Sequence, residues 1–76
     1  VNTTPGDILE RKDLTEKIKR IIGELPENQR SVIHLRDIDG FDNQEIAEIL
    51  SMDVNNVRVL LSRARKKVRE ELLKNY

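Results

Sequence analysis

Apolar residues recur at helical spacing along most of this chain, and short polar stretches between them carry cap and turn residues. Leu14, Ile18, Ile21, Ile22 and Leu25 share one face of a first predicted helix. Thr4 is placed to cap it with Pro5 at the first helical position, and Asp13-Leu14-Thr15-Glu16 offers a second start. Leu9 falls opposite that stripe. Leu25-Pro26 ends the first helix and opens a second, with Pro26 at its first position. This second helix is predicted to run to about Ile38, where Asp39-Gly40 turns the chain. Its inner face is Val32 and Leu35, with Ile33 on the shoulder and His34 outward as a solvated side chain. Arg36 lies on the side of Val32, so it must snorkel or find a partner, and Glu45 is the expected ion-pair acid.

Two helix starts follow in close succession. Asp42 and Glu45 have the spacing of a capping box, and Phe41 is placed to staple onto Ile46. Eleven residues on, Asp53 repeats the cap and Met52 can pack against Val57. The third helix therefore has room for about two turns, through Leu50. A short helix, a tight turn and a long helix make a helix-turn-helix, which needs a small residue where the helices cross and a left-handed residue at the turn. Ala47 and Ser51 stand at those two places. Ser is a costlier choice than Gly for a left-handed position. The expected fold is all-α, a small four-helix domain with a C-terminal helix-turn-helix spanning residues 7–76, preceded by a linker remnant over residues 1–6.

Charge sharpens this picture. The chain has 76 residues, 37% of them charged, and its 14 basic and 14 acidic side chains cancel. Yet residues 54 to 69 hold six cations (Arg58, Arg63, Arg65, Lys66, Lys67 and Arg69) and no acid. Residues 42 to 53 hold four acids (Asp42, Glu45, Glu48 and Asp53) and no base. Such segregation points a cationic face at a polyanion. With no Cys and one His, no disulfide, thiolate site or histidine-built metal site is expected, and no cofactor is implied. No apolar run is long enough to span a bilayer, so membrane insertion is not expected. No converging titratable pair and no phosphate-cradling Gly loop suggests an enzyme. With Val at position 1 and no leader visible, the reading is a cytoplasmic segment of a longer protein.

A helical wheel divides the fourth helix into two faces. With Val57 at zero, Val54, Leu60, Leu61, Ala64, Val68 and Leu72 fall within about 60° of it at roughly 100° per residue. The opposite face collects Asn55, Arg58, Val59, Ser62, Lys66 and Arg69. Its early part suits base edges: Arg58 for guanine, Asn55 or Asn56 for adenine, and Val59 for a thymine methyl. Arg63, Arg65, Lys66 and Lys67 suit phosphates, which add affinity without sequence information. The only aromatic residues are Phe41 and Tyr76, so no platform exists for stacking unpaired bases. Duplex DNA read in the major groove is the expected ligand. Leu9, Ile22 and Ile33 are candidates for an apolar groove that takes another protein's helix.

The order of these residues resembles a known family. Leu25-Pro26-Glu27, Leu35-Arg36, Asp39-Gly40-Phe41, Glu45-Ile46-Ala47-Glu48-Ile49-Leu50, Val57-Arg58 and Ser62-Arg63-Ala64-Arg65-Lys66-Lys67 look like the C-terminal region 4 domain of bacterial sigma factors. The nearest group is the extracytoplasmic-function (ECF) type of the sigma-70 family, and the resemblance runs from about residue 14 to 74. It implies a role in transcription initiation, with recognition of the promoter −35 element. It also implies docking on the β flap of core RNA polymerase, and masking by an anti-sigma factor. Ser51 stands where the family usually has Gly, Asn55-Asn56 where it has Gly-Thr, and Val59-Leu60 where it has Ser-Arg. Two other readings remain: the effector domain of a response-regulator or quorum-sensing activator, and a helical module that binds an acidic protein instead of DNA.

Overall fold

The computed structural model describes the backbone of residues 5–74 and the side chains of residues 11–74. The linker over residues 1–6 and the Thr4 cap therefore fall wholly or largely outside the described residues, as do Tyr76 and the side chains of Ile8 and Leu9. Four α-helices and one π-helical turn follow in order: α1 (Pro5–Gly23), α2 (Glu27–Ile33), the π turn (His34–Ile38), α3 (Asn43–Leu50) and α4 (Val54–Lys74). No strand occurs among the described residues.

Helix α1 runs unbroken through Asp13, so the second start is not used. Thr15 there donates its hydroxyl to the Arg11 carbonyl at 2.8 Å, a bond made inside a helix rather than at its start. Leu14, expected on the buried stripe, is 39% exposed. The stripe reaches the core only from Ile18 onward, through Ile21, Ile22 and Leu25. Pro26 is the N-cap of α2 rather than its first helical residue, and its carbonyl accepts the Arg30 N–H at 2.9 Å.

Helix α4 is the organising strut, packing on α2, α3 and α1. Ile46, Val32 and Val57 are the largest fully buried side chains. Around them gather Ile22, Leu25, Ile33, Ala47, Leu61 and Ala64. Phe41 and Met52 pack on the edge of this cluster, where their positions as staples put them. Truncating a core residue such as Ile46 to Ala should cost about 2–5 kcal/mol, a large part of the stability of so small a domain.

The second helix reaches Ile38 as expected but changes form at Ile33. The Asp39 N–H bonds to His34 O at 3.0 Å, a π-type step, and the Phe41 N–H bonds to Leu35 O at 3.0 Å. Gly40, at φ 83°, supplies the left-handed residue that closes this loop. The Arg36–Glu45 ion pair does not form. Arg36 Nη1 instead donates to the Phe41 carbonyl at 3.1 Å, while Glu45 Oε1 accepts the Asp42 N–H at 3.0 Å. The capping box and the pair compete for one carboxylate, and the box needs no side chain to cross between elements.

Candidate nucleic-acid interface

The turn between α3 and α4 is built by local bonding. Asp42 Oδ1 accepts the Glu45 N–H at 2.8 Å, which completes the capping box at the start of α3. At the other end Ser51 is left-handed, with φ 53° and ψ 49°. The Met52 N–H reaches Ala47 O at 2.9 Å and the Ser51 N–H reaches Glu48 O at 3.3 Å, the paired bonds of a Schellman end. Helix α4 then begins at once, its first bond running from the Val57 N–H to Asp53 O at 3.1 Å.

This arrangement turns one face of α4 to solvent. Asn55, Arg58, Val59, Ser62, Lys66 and Arg69 are all exposed. Val57, Leu61 and Ala64 on the other side are buried. Arg58 Nη1 donates to Asn55 Oδ1 at 3.4 Å, one turn back along the helix. Asn56 points its Nδ2 at the Met52 sulfur, 3.8 Å away. Arg63 and Lys66 flank a shallow hollow with Gln29 and Glu70. The cations of this helix are not equivalent. Lys67 pairs with Glu71 at 3.1 Å, and Arg65 is taken up by a residue from another element.

Arg65 bonds Asp37 through both faces of its fork, Nη2 to Oδ1 at 2.6 Å and Nε to Oδ2 at 3.0 Å. These hydrogen bonds push the Arg65 guanidinium up from its ordinary value, against a smaller opposing effect of burial. Arg65 is thus engaged with the π turn rather than presented freely beside Arg58 and Lys66. Arg58, Arg63, Lys66 and Arg69 form no ion pair among the described residues. Sequence reasoning had no access to Asp37: its partner lies 28 positions away, and no local pattern links them.

On the flank beyond this ion pair lies an apolar groove of about 410 Å³ between α1, the π turn and the end of α4. Ile22 and Ile33 both line it, but as a buried floor. Ile33, expected on the shoulder, is only 3% exposed and belongs to the core cluster, since α2 packs closely on α4. The accessible apolar side chains of the groove are Ile38 and Leu73, at 49% and 70% exposure. Neither was singled out in the sequence.

Residues 15–68 match the family described as Sigma-70, region 4. The chain belongs to that family. Two relatives illustrate the kinship of this region 4 domain. The ECF RNA polymerase sigma-E factor of Escherichia coli (strain K12) is 35% identical over 66 residues, 87% of this chain and 35% of that protein. The ECF RNA polymerase sigma factor SigW of Bacillus subtilis (strain 168) is 35% identical over 68 residues, 90% of this chain and 36% of that protein. The domain thus spans about a third of the length of the curated relatives it matches. Among the described residues no helix is long and apolar enough to cross a membrane.

Proposed function

We propose that this region 4 domain reads the −35 element of promoters as part of an alternative, ECF-type sigma factor, working with core RNA polymerase in the bacterial cytoplasm. The observation that carries this is the outward face of α4 in a chain of this family. Side chains suited to base edges (Asn55, Arg58, Val59, Ser62) precede cations suited to phosphates (Arg63, Lys66, Arg69) on a helix that follows a Schellman turn. The role is binding rather than catalysis, and residues 7–76 act as one DNA-binding unit. The apolar groove lies toward the C-terminal end of α4, with Leu73 and Ile38 at its open side, and is accessible to a helix of the polymerase β flap or of an anti-sigma factor.

Base preference, measured against affinity, tests this assignment. Arg58→Ala should weaken specific promoter binding by about 1–3 kcal/mol and relax the preference at one or two base pairs. Lys66→Ala should weaken all sequences nearly equally and reduce the salt slope by about one. A uniform loss in Arg58→Ala, with base preference unchanged, would remove Arg58 from the reading face.

A further inference from the structure

Two amides at the start of α4 are already committed inside the protein, and this changes what the face is able to read. Asn55 Oδ1 accepts from Arg58 Nη1 at 3.4 Å. The orientation of that amide follows from chemistry, because a guanidinium only donates and so faces the oxygen. Asn56 is turned back to the Met52 sulfur, an acceptor, so its amide nitrogen points there. An asparagine reads adenine by donating to N7 while accepting from the N6 amino group. The bond to Arg58 takes one lone pair of that oxygen and holds the amide turned toward the guanidinium, not toward an adenine edge.

The rest of the face is rich in donors and apolar contact, with the Ser62 hydroxyl able to serve either way. Arg58 contributes donors only, and no carboxylate occurs between Val54 and Arg69. Val59, 45% exposed, contributes two methyl groups, and a β-branched side chain in a helix keeps one χ1 rotamer nearly always, so their position is reproducible. In the major groove guanine shows two acceptors, and thymine shows an acceptor and a methyl. Adenine and cytosine each show an amino donor that needs an acceptor from the protein. Resting on the duplex-reading role above, we propose that the Asn55–Arg58 bond sets how this face reads a base pair. Arg58 contacts a guanine, Val59 packs on a thymine methyl, and Asn55 is a positioning residue that aims Arg58 rather than a reader of adenine.

The test uses the intact protein that carries this chain, bound to core polymerase. Sites are selected from a randomised duplex library and resynthesised with one altered base at a time. Deoxyuridine for thymidine, which removes only the methyl, should weaken binding about fourfold at one position. Val59→Ala should erase that difference. 7-Deazaguanine should weaken binding about fivefold or more at one position. Asn55→Ala should relax the guanine preference there, while Asn55→Asp should keep it, since a carboxylate also accepts from Arg58. A merely structural Asn55 would lower affinity in both variants and leave base preference unmoved. Specific binding indifferent to thymine against uracil overturns the proposal and leaves the duplex-reading role standing. So does a 7-deazaadenine penalty that vanishes in Asn55→Ala. Selection that enriches no sequence removes both.

Discussion

Ser51 is the one non-glycine residue with a positive φ among the described residues, and it sits where the helix-turn-helix most depends on backbone shape. A left-handed conformation crowds Cβ against the following carbonyl and costs an L-residue roughly 1–2 kcal/mol. The Schellman bonds from Met52 and Ser51 back to Ala47 and Glu48 hold the residue there regardless. Ser51→Gly should therefore stabilise the domain by about 1 kcal/mol, part of the relief being offset by the extra freedom of glycine in the unfolded chain. In a domain of this size that raises the melting midpoint by about 4–8 °C. Thermal melts of the two proteins check it, and a lower midpoint for the glycine variant contradicts the turn geometry. Gly40 shows the same requirement met by the residue best suited to it.

At the scale of elements, α4 does two jobs on two faces, and the Asp37–Arg65 pair is the strap at the border between them. The strap starts from the π turn, where Asp37 reaches α4 while the neighbouring Arg36 snorkels to the Phe41 carbonyl. Both partners are roughly half-exposed, so their contribution to stability is no more than about 1 kcal/mol, even with bidentate geometry. The effect on binding is the larger one. Arg65 also borders the polar hollow that holds Arg58, Ser62 and Arg69, so freeing it adds a cation beside the reading face. Asp37→Ala should tighten binding to all duplex sequences alike and steepen the salt dependence by about one contact. Titrations at several salt concentrations measure this. Weaker binding in the variant would mean that the strap positions α4 for DNA rather than withholding Arg65.

The whole molecule carries no net charge, and its acids and bases are segregated. The three cations of α4 suited to phosphates and outside any ion pair among the described residues (Arg63, Lys66 and Arg69) supply about three phosphate contacts, and a single reading module buries only about 600–1,000 Å² of protein surface. Glu48 and Asp53, exposed on and just after α3, oppose the duplex field nearby. In the proposed role, affinity at a promoter should therefore come from tethering, which would hold this domain at its site at high effective concentration. The chain alone should bind a cognate duplex with micromolar or weaker affinity at physiological salt, and lose it steeply as salt rises. A fluorescence titration decides the matter: nanomolar, sequence-specific binding by the chain alone would favour a self-sufficient repressor or activator.

The sequence by itself determined the features whose causes lie within about four residues of one another. The Asp42–Glu45 box, the left-handed Ser51, the limits of α3 and the division of α4 into a buried and an exposed face follow from neighbours on one helix. Spacing along the chain is then spacing in space. Where a partner had to be chosen from another element, spacing said nothing. Arg36 and Arg65 were both legible as charges needing a counterpart or a ligand. Tertiary structure alone decided that one goes to a carbonyl and the other to Asp37, 28 residues distant. The depth of Ile33 and the exposure of Leu14 were settled in the same way, by the packing of α2 on α4 and by where α1 meets the core. The π turn belongs with them: its residues suit an ordinary helix, and only the assembled fold shows Arg36 bonded to the Phe41 carbonyl, Asp37 to Arg65 and Gly40 left-handed just after it.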